Sequence, residues 1–513
     1  MQSHLNRRAF FRRSSLFAAG VVGAPAFVRA ASGVSFPPGV RPRHIIHLVS
    51  DGMSLATLTC ADQLSHYMRN RGLAWLELTR RPDAANGLME TRSLNSLVTD
   101  SAAASSAWGS GSRVVNGAIN VLPDGRELRT LYQLFGEAGW KRGLVTTAEV
   151  THATPAGFAA NVSSRATSEA IAEQYLARRI EVLLGGGAKC FEAGSRQDQR
   201  DLRGDFIRAG YVVLATREEL RAAPLERPWL GTFDRSHLPF TVDHQRDEVL
   251  RQRIPTLAEM TEAALRRLER EEHFILQVEG ARVDMAAHLN DPAGTLLDQI
   301  AFDDAVAVVV AFQARHPDTL VLVTSDHGTG GPALNGVGRD YEKTVPLLKN
   351  VAAQRRSFAG IIKEITGAVT FDGEAYKYEG EAAARQTDVA RVAEIVFEAT
   401  GCRLSDRRAA KLCEAFAGRS DAAHDLMRSG TAQLGQLVAN HTGVGWTSLN
   451  HTSDHVPLLA VGPGAERFRG FLRNVDVFRH YTQLAKIDFQ NPELPLMAES
   501  GPSAAAVEAL PRV

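Results

Sequence analysis

Asp51, Ser101, Asp326 and His327 each follow a short run with the composition of a β-strand: 44–50 (HIIHLVS), 93–99 (SLNSLVT) and 320–325 (LVLVTS). Open α/β sheets gather ligand chemistry outside the carboxyl ends of their strands, so residues distant in sequence can meet there. These four bring carboxylates, an imidazole and a hydroxyl. That is the inventory of a metal site with its own nucleophile.

Other segments extend the inventory. In 277–288 (QVEGARVDMAAH) Asp284 and His288 stand four residues apart. On a helix they share a face and can hold one zinc ion, although the same spacing also suits a surface polar pair. Glu279, at the end of the preceding strand, suits a harder, oxygen-preferring ion such as magnesium. In 324–331 (TSDHGTGG) adjacent Asp326 and His327 can ligate one metal or simply form a capped loop. His451 lies in the polar loop 449–455 (LNHTSDH). Thr154 offers a hydroxyl to a hard cation, and Arg165 a planar fork that fits phosphate. Ser101 precedes the Ala-rich stretch 102–108. A helix starting there has unpaired N–H groups for phosphate oxygens, or Ser101 is an ordinary N-cap.

Strand-like and helix-like segments alternate along the body. Strands are expected at 142–146, 181–184, 274–278 and 456–461, and helices at 131–138, 168–178 and 297–315. This βα alternation predicts an α/β fold with a mainly parallel central sheet flanked by helices on both faces. Residues 332–445 break the rhythm and are expected to form an insertion or cap, with helices at 389–400 and 405–417. The catalytic domain is placed at 35–490 and a loosely held tail at 491–513.

The 513 residues carry 58 basic and 58 acidic side chains and a formal net charge of +0. That balance argues against a nucleic-acid partner. The four cysteines form no CxxC pair. Cys402 and Cys413 are near enough in sequence to bridge, and spacing alone leaves that open. At the start of the chain Asn6-Arg7-Arg8-Ala9-Phe10-Phe11 resembles a twin-arginine export signal, followed by an apolar stretch at 15–28 and the small-residue site Val28-Arg29-Ala30. A membrane span needs about 20 apolar residues, so residues 1–30 are read as a signal peptide rather than a stable anchor. The expected location is periplasmic or secreted.

Taken in order, HLVSDGM, VTDSAAASSAW, TAEVTHATPAGFAANVSSR, EVLLGGGAK, LQVEGARVDMAAH, VTSDHG and NHTSDH resemble the alkaline phosphatase family. The resemblance runs over about 44–465 and implies a zinc- and magnesium-dependent phosphomonoesterase. It assigns one zinc to Asp284, His288 and His451. A second zinc goes to Asp51, Asp326, His327 and, in the resting enzyme, Ser101. One magnesium goes to Asp51, Thr154 and Glu279. Ser101 becomes the nucleophile and Arg165 the phosphate clamp. The implied product is inorganic phosphate, released through a phosphoserine from small phosphate monoesters of broad leaving-group type. The family resemblance also implies a crown-like insertion and a homodimer.

Three positions depart from familiar members of that family. Ser54 replaces a glycine. His152 stands where some members have Asp, which leaves it an outer position around the magnesium. Met285 falls where some carry a basic residue near phosphate, so looser phosphate binding is expected. A phosphodiesterase or sulfatase of the same superfamily is the alternative. Ser101 together with Arg165 and the Thr154/Glu279 pair favours monoesters.

Overall fold

The computed structural model describes residues 40–336, 341–367, 370–371, 376–377, 388–420 and 422–497. The expected signal at 1–30 and the tail beyond 497 lie outside them.

One sheet carries ten strands: β1 His44–Val49, β2 Ala85–Met89, β3 Lys141–Glu149, β4 Val182–Gly186, β5 Val212–Leu214, β6 Trp229–Thr232, β7 Phe274–Glu279, β8 Thr319–Thr324, β9 Val456–Val461 and β10 Gly470–Leu472. Their order is β10-β2-β9-β8-β1-β7-β3-β4-β6-β5. All are parallel except β9, which runs against both its neighbours.

The central strands are mostly apolar and fully buried because both faces are covered. Side chains alternate across a strand. Ile46, Leu48, Leu276, Val278, Val321 and Val323 enter one apolar cluster. Ile45, Val49, Ile275, Leu320 and Leu322 enter another. Helices Leu55–Arg69, Leu257–Leu268 and Pro292–Arg315 pack on the first face, and Leu131–Glu137, Ala153–Ala159 and Asp476–Leu484 on the second.

Register places the site. First in the chain, β1 sits between β7 and β8, so the chain leaves it towards opposite sides. This is a topological switch point, where α/β sheets bind ligands. Val49 pairs with Glu279 on one side and Thr324 on the other, so the three strands end level. Asp51, Glu279 and Asp326 therefore all lie within two residues of one rim.

Residues 93–99 are not a strand. They form a loop in which Ser93 N–H donates to Ser96 O at 3.1 Å and Leu94 N–H to Val114 O at 3.0 Å. Ser93, Asn95 and Ser96 offer local side-chain hydrogen bonds that compete with a ladder. Ser101 thus arrives from a loop. Strands β2, β5, β6 and β10 were not expected; they are short, and β2, β6 and β10 contain glycine.

Described residues of 332–445 add no strand to this sheet. They form helices such as Val389–Thr400, Asp406–Phe416 and Gly430–Thr442, whose Val392, Leu412 and Leu434 join the first apolar cluster. The start of the tail is bound rather than loose: Asn491 Nδ2 donates to Ser110 O and Arg129 O, both at 2.8 Å. Cys402 and Cys413 are free thiols. Among the described residues no helix is long and apolar enough to cross a membrane.

Ser101 and Thr154 are brought together by close packing of helix Ser101–Ser110 on helix Ala153–Ala159, where Ser105 Oγ donates to Thr154 O at 2.6 Å. A Cβ on Gly109 would meet Gly157 O at 1.8 Å. Gly109→Ala is therefore expected to cost about 1–3 kcal/mol and to lower activity by displacing Ser101. A urea melt beside an activity assay checks both, and an unchanged midpoint would show that this contact does not matter.

Candidate metal centre

Loop geometry at the sheet rim builds the site. Gly52 N–H donates to Asp326 Oδ1 at 3.0 Å. Ser325 Oγ donates to Ser50 O at 2.7 Å and accepts from Met53 N–H at 3.0 Å. These bonds tie the loop after β1 to the loop after β8. Gly52 has φ +71°, and a Cβ there would fall 2.5 Å from Asp284 Oδ1. Only glycine allows both that backbone and that approach.

Three groups of potential ligands result: Asp284 with His288 and His451, Asp51 with Asp326 and His327, and Asp51 with His152 and Glu279. Within each group the ligand atoms lie within 4.8 Å of one another. Asp51 belongs to two groups, as a bridging carboxylate would. Thr154 Oγ1 is 3.4 Å from Asp51 Oδ2, beside the third group. His152 stands in the third group, with its Nε2 accepting from Arg165 Nη2 at 3.1 Å.

The histidines are oriented by their far nitrogens. Nδ1 of His288 is 2.5 Å from Leu449 O, and Nδ1 of His451 is 2.8 Å from Thr99 O. A carbonyl oxygen only accepts, so both Nδ1 atoms carry protons. In the neutral rings both Nε2 atoms then present lone pairs, yet they face each other at 3.0 Å. Thr329 Oγ1 donates to Asp284 Oδ1 at 2.5 Å and so accepts from His327 Nδ1 at 3.3 Å. Nε2 of His327 is thereby turned to Asp326 Oδ2 at 3.2 Å and Asp51 Oδ1 at 3.6 Å. Nitrogens and carboxylates converging this way suit a cation between them; in the metal-free protein, against the cost of burial, Asp284 raises His288 above its ordinary value. Holding a ligating imidazole by its other nitrogen is the usual support of a metal site.

Burial sharpens the demand. Asp51 Oδ1, Asp326 Oδ2 and Glu279 Oε1 are buried and accept no hydrogen bond. Burial, reinforced by Asp326, pushes the Asp51 carboxyl well above the usual carboxylate range. Burial pushes Asp326 and Glu279 each up to about 7. Burial also opposes the charge on Asp284, but His288 and His451 hold it well below its ordinary value. His327 is driven well below its ordinary value by burial and by His451. A divalent cation satisfies all these groups at once, and the donor set of imidazoles, carboxylates and a hydroxyl fits such ions.

Ser101 opens its helix, but Asp100 is the N-cap: its Oδ1 accepts from Ala103 N–H at 2.9 Å. The Ser101 hydroxyl is therefore free of capping and lies 3.2 Å from His327 Nε2. Arg165 Nη1 donates to Asp100 Oδ2 and Nη2 to His152 Nε2, both at 3.1 Å. Every residue expected at the site lies in this one neighbourhood. Met285 differs: it is fully buried in the first apolar cluster, so the change in phosphate binding expected from it has no open face to act through.

Asp100, Thr329 and Thr146, which donates to Glu279 Oε2, had not been expected. An Asp just before a helix start is an N-cap signature that could have marked Asp100. Nothing local marks the two threonines.

The sequence profile of the family described as Alkaline phosphatase matches residues 42–487. Alkaline phosphatase 4 of Bacillus subtilis (strain 168) is 30% identical over 445 residues, covering 85% of this chain and 87% of that protein. Streptomycin-6-phosphate phosphatase of Streptomyces griseus is 36% identical over 346 residues, 58% of this chain and 76% of its own. The crystal structure of Thermus thermophilus alkaline phosphatase superposes with a TM-score of 0.81 at 34% identity, covering 90% of this chain and 95% of that one.

Metal loading should depend on pH in a direction set by the raised carboxyls. Asp326 and Glu279 hold protons below about 7 in the metal-free protein. A cation must displace those protons, so affinity rises with pH through that window. Chelator-stripped protein titrated with zinc at about pH 6 and 8 is expected to bind more tightly at the higher value and to release protons. Equal affinity at both would contradict the assignment.

Proposed function

The chain belongs to the alkaline phosphatase family and is a hydrolase of phosphate monoesters, and from there we propose that it acts through a phosphoserine on Ser101, with two zinc ions and one magnesium ion. The observation that carries this reading is the uncapped Ser101 hydroxyl at 3.2 Å from His327 Nε2.

Asp284, His288 and His451 would hold one zinc ion, and Asp51, Asp326 and His327 the other. Asp51, Thr154 and Glu279 would hold the magnesium, with His152, which accepts from Arg165, beside them. When bound, such ions lower the pKa of a hydroxyl or water and offset charge on a leaving oxygen.

The chain's own residues do the rest. Ser101 Oγ attacks phosphorus as the bond to the leaving oxygen breaks. Water then attacks the phosphoserine, restoring Ser101 and freeing inorganic phosphate. Asp100 engages the N–H groups of Ala103 and Ala104. Those of Ser101 and Ala102 are left for phosphate oxygens at the positive end of the helix. Arg165 sits beside them, and its planar fork suits two equatorial oxygens. Asp100 aims that fork and fixes the helix start together.

All these residues act on the phosphoryl end, which supports a broad range of leaving groups. The Arg7-Arg8 motif and the apolar stretch after it support twin-arginine export and a periplasmic or secreted enzyme.

Ser101→Ala is expected to lower turnover of an aryl phosphate monoester by at least about 10³-fold, with zinc and magnesium retained on metal analysis. Activity near the native level would mean another nucleophile. Arg165→Ala is expected to raise KM for the monoester and weaken inhibition by phosphate, as steady-state kinetics would show; unchanged values for both would remove Arg165 from the site.

A further inference from the structure

Arg282 is a cation buried without an oxygen partner. It is 9% exposed, and its Nε–H donates to no neighbour. Nη1 lies 2.9 Å from the sulfur of Met285, and the guanidinium sits 3.5 Å from the centroid of the Phe240 ring. Thioether sulfur is a weak acceptor. Among the described residues no oxygen accepts from this side chain.

Arg282 lines a cavity of about 130 Å³ shared with Asp298, Thr241, His244 and Thr147. Asp298 is held in place there: Thr241 donates to it from Oγ1 at 2.8 Å and from N at 3.1 Å. No Asp298–Arg282 ion pair forms, so guanidinium and carboxylate face the same space without touching. The cavity's other acid, Asp304, is engaged by Arg69 at 2.7 Å and Arg71 at 3.1 Å.

Guanidinium and carboxylate together select a chemistry. The first seeks a planar pair of anionic oxygens. The second seeks a hydrogen-bond donor. A tetrahedral oxyanion that keeps one hydroxyl supplies both, whereas a fully ionised one turns bare oxygens towards Asp298.

We propose that this cavity is a second phosphate site, which takes hydrogen phosphate between Arg282 and Asp298, apart from Ser101. Its charged oxygens accept from the guanidinium and its P–OH donates to Asp298. Sulfate, without a proton at neutral pH, is rejected. This goes beyond the hydrolytic reading and does not depend on which residue is the nucleophile.

Equilibrium dialysis of the metal-loaded protein against radiolabelled inorganic phosphate or sulfate, at about pH 8, tests it. Two phosphates per chain are expected in the native protein and one in Arg282→Gln. Sulfate is expected to fill the second site at least about a hundredfold more weakly, because a buried acceptor left facing another acceptor discriminates strongly. Asp298→Asn should bring the two anions close to equal, which keeps the test open if Arg282→Gln fails to fold. A single phosphate in the native protein, a second phosphate that survives Arg282→Gln, or sulfate bound as tightly as phosphate would each overturn the proposal.

Discussion

Four carboxyl groups buried together at the sheet rim govern this structure. Asp51, Glu279, Asp284 and Asp326 are buried side by side, and the histidines among them are turned so that their Nε2 atoms face this cluster. Packing alone does not stabilise such a cluster, because taking ionised carboxylates out of water costs far more than nearby apolar contacts return. The arrangement makes sense only around cations. The level strand ends of β1, β7 and β8, the Gly52 turn and the Ser325 staple all hold these groups close despite their repulsion.

The same geometry links the metal clusters to one another and to Ser101. Asp51 serves two groups. The rings of His327 and His451, from different groups, stack with centroids 3.6 Å apart. Thr329 joins Asp284 to His327 through one hydroxyl. A shift in any of these segments would disturb both groups of ligands. Asp100 extends the coupling, since one carboxylate caps the helix that Ser101 opens, accepts from Gly117 N–H at 2.9 Å and orients Arg165.

Much of this was legible in the chain. β1, β7 and β8 announce themselves because two-sided burial leaves mostly apolar runs, and each has an acidic residue at its end or within two residues of it. Asp284 and His288 could be read as a pair from helical spacing. The edges of the sheet were not legible. β5 has three residues and β10 exposes Phe471, so neither carries the pattern of a buried strand. The run 93–99 misled because Leu94, Leu97 and Val98 give it a strand's composition while its serines and asparagine fold it back as a loop. The supports of the imidazoles were invisible for a different reason. They are backbone carbonyls of Thr99 and Leu449 and the hydroxyl of Thr329, and tertiary folding rather than residue type decides where those atoms point.

The central claim is that two separate ions are gripped at the rim, on either side of the Ser101 hydroxyl. Anomalous diffraction at the zinc edge from crystals of the zinc-loaded protein tests it most directly. Two peaks are expected, one among Asp284, His288 and His451 and one among Asp51, Asp326 and His327, about 4 Å apart. A single peak, or zinc bound only elsewhere on the chain, would contradict the account.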